Sequence, residues 1–157
     1  MTLSSGWRFL IPEEYAQLGP LADIPNVRLI AVAKMQDEGN VPTLVVTGGK
    51  LTTDASEDEI YADSVRQVGE ALPGFHLIDD FAWPLASNGA RWRTGAYILD
   101  DVSLTLSQLT WITHIAPAMQ QPPQRFLWTA TCTCPSILFP TIIDDFITMV
   151  QTLEVPS

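Results

Sequence analysis

Two cysteines near the end of the chain are the residues best able to act as nucleophiles or soft metal ligands. Cys132 and Cys134 are two positions apart, so in a strand their sulfurs would share one face, as in a redox pair or half of a zinc site. They alternate with apolar residues, and a disulfide between positions i and i+2 of one strand would be strained. We therefore predict that both are buried, unbridged thiols without bound metal.

His76 and His114 could each serve as a general base for a serine or cysteine nucleophile. The sequence has no Gly-x-Ser-x-Gly motif, and both histidines fall within strand patterns. The paired carboxylates lack the regular spacing of a calcium-binding loop; they are Asp79–Asp80, Asp100–Asp101 and Asp144–Asp145. We predict no catalytic residue, cofactor or metal, with a small hydrolase or transferase using His76 or His114 as the alternative.

Tryptophan and arginine are concentrated in the middle of the chain. Both residue types are favoured at interface hot spots, because they offer a large contact area together with a polar group. We predict a partner-binding surface formed by Trp83, Arg91, Arg93 and Trp111. In the alternative, Trp111 and the neighbouring Trp92 are core residues, and the arginines only cover the outer face of a strand.

The composition limits the classes of partner. The chain has 157 residues, of which 46% are hydrophobic and 17% charged, which fits a single domain over residues 1–157. Its formal net charge of -10, with only eight lysines and arginines, argues against nucleic acid and anionic membranes. No secretory signal or membrane-length apolar run is visible. We expect a cytoplasmic protein whose partner is another protein, with a homodimer as an open alternative.

Hydrophobic periodicity predicts the elements that hold these residues. After an apolar run at Trp7–Ile11, strands are expected at Val27–Met35 and Thr43–Thr47, joined by a turn at Asp37–Asn40. A capping box at Ser56–Glu59 predicts a helix, which Pro73 and Gly74 end. Four strands and a second helix from about Pro140 follow; the strands are Phe75–Trp83, Ala90–Leu99, Ser103–Ile115 and Gln124–Cys134.

The order β-β-β-α-β-β-β-β-α, with its short connections, predicts an α+β sandwich. We expect a largely antiparallel sheet of about six or seven strands flanked by two helices. The pattern does not decide whether the helices cover one face or two. Because Leu104 and Leu106 are out of phase with Leu109 and Trp111, we predict a bulge near Ser107–Gln108. The threonine-rich face of the last strand is expected to meet mostly water.

Four segments of the sequence resemble the actinobacterial LpqN/LpqT-like proteins of the PsbP-like α/β/α sandwich superfamily. They are GWRFLIP at 6–12, LPGFHLID at 72–79, NGARWRTGAY at 88–97 and TATC at 129–132. The resemblance implies a non-catalytic domain that binds other proteins or apolar segments of them. Superfamily members include photosystem accessory subunits, a small-GTPase-binding protein and secretion-effector chaperones. The sequence departs from the LpqN pattern at its N-terminus, where we expect neither the lipoprotein leader nor its lipidated cysteine.

Overall fold

The computed structural model describes residues 13–17, 27–34, 41–85, 88–115 and 123–152 of the chain. These residues form seven strands, two α-helices and a 3-10 turn at Ser136–Leu138. The strands are β1 (Tyr15–Gln17), β2 (Val27–Ala33), β3 (Thr43–Lys50), β4 (His76–Leu85), β5 (Asn88–Leu99), β6 (Val102–Ile115) and β7 (Gln124–Pro135), and the helices are α1 (Glu57–Ala71) and α2 (Phe139–Gln151). The predicted run Trp7–Ile11 and the turn at Asp37–Asn40 lie outside the described residues, and β1 was not predicted.

All seven strands belong to one antiparallel sheet in the order β1-β2-β3-β7-β6-β5-β4. The pairing of β3 with β7 joins the first strands to the later meander, with Leu44 opposite Cys132. Helix α1 carries the chain from β3, inside the sheet, to β4 at its edge. This architecture confirms the predicted α+β fold class.

The two helices cover opposite faces of the sheet. Phe146 of α2 packs in the cluster that contains Leu109 and Trp111 of β6. Tyr61 of α1 packs with Ile112 of the same strand. Because neighbouring residues of a strand point to opposite faces, these contacts place α2 on one side and α1 on the other.

The predicted bulge in β6 is wrong. The ladder between β5 and β6 continues without a shift through Arg93–Gln108 and Thr94–Ser107. The out-of-phase leucines need no bulge, because both faces of this central strand are buried under helices. Among the described strands, the register shifts instead in β4, between Leu77 and Asp79, and in β2, between Val27 and Leu29.

Helix α1 begins as its sequence predicts. The Ser56 side chain accepts a hydrogen bond from the Glu59 backbone N–H at 3.2 Å, and Glu59 Oε2 accepts one from the Ser56 N–H at 3.0 Å. Both bonds satisfy donors that a helix start would otherwise leave unpaired. After the helix, Gly74 adopts φ +64, a conformation that favours glycine.

The apolar periodicities of β7, α1 and α2 predict six core residues, of which two are fully buried. Trp128 and Phe146 are buried, and four further residues are half-buried; these are Val65, Val68, Phe126 and Ile147. The threonine-rich face of β7 is also half-buried rather than open to water, because α1 lies on that side of the sheet.

The turn between β5 and β6 contains two aspartates in the left-handed region. Asp100 has φ 51 and Asp101 has φ 65, as in a type I′ hairpin turn, where glycine is preferred. We expect Asp101→Gly to raise the free energy of unfolding by about 0.5–1 kcal/mol, since glycine removes the steric cost of this conformation. Denaturant unfolding measures this gain in stability, and Asp101→Ala is the control. Equal gains from both variants would show that charge removal, not backbone relief, is responsible.

Candidate functional site

The four residues predicted to bind a partner lie on opposite faces of the sheet. Trp83 and Trp111 share one row, because both are paired with Ala90, and this row faces α2. Arg91 and Arg93 point to the α1 side. Trp111 is 1% and Arg93 2% exposed, whereas Trp83 and Arg91 are half-buried. The partner-binding role of these four residues stays a prediction. Because Trp111 and Arg93 are buried, direct contact with a partner would have to come from Trp83 and Arg91.

The carboxylate of Asp80 forms ion pairs with both Arg91 and Arg93. Asp80 Oδ1 is 2.8 Å from Arg91 Nη2, and its other oxygen is 3.7 Å from Arg93 Nε. Arg93 also donates to the Tyr61 carbonyl oxygen and, at 3.1 Å, to Ser64 Oγ, so it ties α1 to the sheet. Burial lowers the pKa of Arg93, and the charge of Asp80 opposes that effect.

A polar row crosses four strands beneath α1. Asp80, Arg93, Gln108 and Thr131 are directly opposite one another on β4, β5, β6 and β7. Arg93 Nη1 lies 3.5 Å from Gln108 Oε1, and Gln108 Nε2 donates to Thr131 Oγ1 at 3.1 Å. The role of Gln108 and Thr131 was not predicted from the sequence. The only available signal was the polar character of the two side chains, because their alignment depends on the pairing of β6 with β7.

Aromatic rings extend from the core to the edge strand on the α2 side. The ring centroid of Trp92 is 5.1 Å from that of Phe146 and 4.9 Å from that of Trp83. Phe81 stacks on Trp92 with centroids 6.4 Å apart and is 37% exposed. The row therefore brings an apolar aromatic surface to β4, next to half-buried Trp83.

Exposed apolar side chains gather at one end of the sheet, where β4 and β6 begin and β5 and β7 end. We call this end of the sheet the apolar end, and its exposed apolar residues are Leu77, Ile78, Ile98, Leu99, Val102 and Ile137. The strand register turns Leu77, Leu99 and Val102 to the α1 side and Ile98 to the α2 side. Ile98 is paired with Ser103, whose hydroxyl is 2.8 Å from that of Ser136, so Ile137 lies close to this pair. Asp79, Asp100 and Asp101 are exposed beside it.

Neither histidine contacts a nucleophile among the described residues. His114 Nε2 lies 3.2 Å from Glu57 Oε1 at the start of α1, and both side chains are about half exposed. His76 is exposed at the start of β4. Within the described ranges, no group of three or more His, Cys, Asp or Glu residues could hold a metal ion. No described helix is long and apolar enough to cross a membrane.

The cysteines are buried free thiols in the described structure. Burial raises the pKa of Cys132 to about 12 and that of Cys134 to about 11. We expect no rapid reaction with Ellman's reagent at pH 8 in the folded protein and reaction of both thiols after unfolding. Thiols in the unfolded chain ionise near pH 8.5, so this contribution to stability is complete below that pH and is lost as pH rises towards the folded pKa values. Immediate labelling of the folded protein would contradict this prediction.

Comparisons with known proteins identify the fold. The sequence matches no family model and no curated protein. The structure is similar to that of LpqN of Mycobacterium tuberculosis, a protein involved in cell envelope biogenesis, with a TM-score of 0.78 and 20% identity over 99% of this chain and 86% of that one.

Two further solved structures share the fold. Cyanobacterial PsbP from Synechocystis gives a TM-score of 0.65 at 14% identity, over 99% of this chain and 91% of that one. A Pseudomonas aeruginosa protein of unknown function gives 0.65 at 18% identity, over 96% and 97%. The chain therefore has a PsbP-like α+β fold, as the sequence resemblance implied.

Proposed function

We propose that this chain is a non-catalytic binding or adaptor domain that recognises a protein partner through the apolar end and the adjoining edge of β4. The exposed apolar side chains at that end carry the proposal. Ile98 and Ile137 are 60% and 87% exposed and lie close together, and Ile78, 61% exposed, lies near the start of β4 at the same end of the sheet. Clustered exposed apolar residues with a polar rim are typical of protein interaction sites.

The charges beside the apolar end define the partner's chemistry. Asp79, Asp100 and Asp101 lie next to it in a chain with a formal net charge of -10. A complementary surface would present apolar side chains with lysine or arginine around them. Two copies of this chain would bring their carboxylates together, so we favour a basic protein segment over a homodimer. Trp83 and Arg91 would extend the contact along β4 and β5.

Binding is favoured over turnover because the described contacts of the histidines include no serine, threonine or cysteine. The only described side-chain partner of His114 is Glu57, at 3.2 Å, on an exposed surface. A hydrolase or transferase using His76 or His114 is the second candidate. A substrate screen that finds turnover abolished by His76→Ala or His114→Ala would establish it.

The known proteins with this fold are compatible with an adaptor role. LpqN is described as involved in cell envelope biogenesis, and the second similar structure is a cyanobacterial PsbP. We extend to this chain a secretion- or chaperone-related role in which the partner is an apolar segment of another protein. Its cytoplasmic location stays a prediction of the sequence.

The proposal is tested by comparing bait proteins in quantitative affinity capture. Ile98→Asp places a charge in the apolar end, and Ala62→Asp adds the same charge at an exposed position of α1. We expect a partner retained by the wild type and by Ala62→Asp to bind Ile98→Asp about tenfold more weakly, which corresponds to ~1.4 kcal/mol. Equal retention by all three baits would reject the apolar end as the binding surface.

A further inference from the structure

Strand β4 forms one edge of the sheet. It is the last strand in the order β1-β2-β3-β7-β6-β5-β4, and its described backbone pairs only with β5. A strand at a sheet edge presents a row of N–H and C=O groups to which the backbone of another chain can bind. The 10 residues of β4 offer several such groups.

The amides of β4 that point away from β5 can be identified from two residues. The Asp80 N–H donates to Asp79 Oδ1 at 2.9 Å, so its acceptor is a side chain of β4 itself. Pro84 is paired with Gly89 but has no N–H, and proline in a paired strand occupies positions whose nitrogen faces away from the neighbouring strand. Alternate residues of an antiparallel strand direct their backbone groups to the same side. The N–H and C=O groups of Ala82, midway between these two residues, therefore also face outward.

This outer edge is only partly open to another strand. Pro84 has no donor, and the Asp79 carboxylate occupies the donor of Asp80. The register shift between Leu77 and Asp79 interrupts the regular strand at its other end. An incoming strand would therefore find a donor at Ala82 and would have to draw the Asp79 carboxylate away from the Asp80 N–H.

Aromatic rings line the α2 side of this edge. Phe81 is 37% exposed and Trp83 is half-buried, and their ring centroids are 6.3 Å apart. No further strand lies beyond them in the described sheet. A strand paired with β4 would place every second side chain against these two rings, where apolar side chains fit best. Asp79 is exposed at the same edge, and its carboxylate attracts a basic group.

The α1 side of the edge favours neither charge. Ala82 is exposed there, and the Asp80 carboxylate is already paired with Arg91 and Arg93. Uncharged polar side chains therefore suit the positions on this side. The combined pattern is an extended segment with apolar residues at two alternate positions, a lysine or arginine two residues further on, and small polar residues between them.

We propose that a segment of this kind, supplied by the partner, adds to the sheet as a strand antiparallel to β4. This inference rests on the proposed function, because it names how the same partner would bind. The basic side chain attracts the Asp79 carboxylate, and the Asp80 N–H then donates to a carbonyl oxygen of the incoming strand. The Ala82 N–H and C=O groups extend the ladder. Strand β4 of a second copy does not fit, because it contains no lysine or arginine.

Amide NMR titrations of the isotope-labelled protein with three capped peptides test this site. The peptide Thr-Val-Thr-Val-Thr-Lys-Thr has the required pattern, Thr-Val-Thr-Val-Thr-Glu-Thr reverses its charge, and Val-Val-Thr-Thr-Thr-Lys-Thr has the same composition without the alternation. We expect the first to bind about tenfold or more tightly than the other two and to shift the Ala82 amide signal. Equal or undetectable binding of all three would overturn the proposal. Concentration-dependent shifts of the same amide without peptide would also overturn it, because a second copy would then occupy the edge.

Ala82→Pro removes the outward donor at the centre of the edge. The variant should fold, because β5 does not use the Ala82 N–H and β4 already accommodates Pro84; circular dichroism checks this. We expect it to bind the lysine peptide about tenfold more weakly, whereas Ala82→Val keeps the N–H and should bind it as the wild type does. Equal affinities of the two variants would contradict backbone pairing.

Asp79→Lys tests the charge at the edge while keeping the backbone donors. We expect this variant to prefer the glutamate peptide over the lysine peptide by about fivefold or more. Asp54→Lys makes the same change at an exposed position between β3 and α1 and should keep the wild-type preference. An unchanged preference of Asp79→Lys would contradict the role of Asp79. Loss of partner capture with Ile98→Asp but not with Ala82→Pro would reject strand addition and leave the proposed function standing.

Discussion

Replacing Trp128 by alanine is expected to lower the free energy of unfolding by about 3–5 kcal/mol, because a large buried side chain leaves a cavity that the core cannot fill. Trp128 is 4% exposed, and its Nε1 donates to Thr113 Oγ1 at 2.8 Å. Denaturant unfolding followed by circular dichroism measures the change. Thr129→Ala, on the opposite face of the same strand, is the control and should cost much less.

The close approach of Gly48 to Trp128 makes the packing at this site sensitive to any added side-chain volume. A Cβ atom on Gly48 would lie 2.3 Å from Trp128 Cε3, far inside contact distance. Gly48→Ala should therefore be destabilising by about 1–3 kcal/mol in the wild type and much less when residue 128 is alanine. Strictly additive effects would show that the two residues do not share this space, and a small cost of Trp128→Ala alone would contradict the packing.

Asp80→Asn is expected to be nearly as damaging, with a loss of about 3 kcal/mol, because it leaves the buried Arg93 without its carboxylate. Arg93 is 2% exposed, so water cannot replace the lost interaction. Chemical unfolding should show this loss in the free energy of unfolding. Faster amide hydrogen exchange in α1 should show that the attachment of this helix is weaker.

Two neighbouring substitutions are the controls for this prediction. Asp79→Asn makes the same chemical change at an exposed position and should cost little, since an amide oxygen can still accept from the Asp80 backbone N–H, 2.9 Å away. Arg91→Met removes the more exposed arginine and should cost about 1 kcal/mol or less. If Asp80→Asn behaved like either control, the ion pair of half-buried Asp80 with buried Arg93 would not be supporting the bonds by which Arg93 holds α1.

The apolar end and the polar row beneath α1 have different roles in the molecule. The apolar end uses side chains that the β5–β6 turn and the start of β4 leave outside the core. The polar row ties α1 to the sheet through side chains that this helix partly covers. Arg93 belongs to the second region rather than to a partner surface, because its guanidinium is occupied by Asp80, Tyr61 and Ser64.

Local patterns determined much of the fold. The alternation in β7, the capping box at Ser56 and the apolar stripe of α2 each depend on residues a few positions apart, so the sequence predicted these elements correctly. The order of strands with short connections also predicted an antiparallel sheet. The burial of Trp128 and Phe146 follows from the same periodicities.

Only the tertiary structure decided how the two faces are used. The sequence alone could not show whether Leu104 and Leu109 require a bulge or two covered faces, because both arrangements produce the same pattern. Nor could it show that Arg93, Gln108 and Thr131 align, since they come from three strands and meet through the sheet register. The sequence determined which side chains alternate along each strand, whereas the long-range pairing determined which of them meet, because contacts between distant residues depend on the packing of the whole sheet.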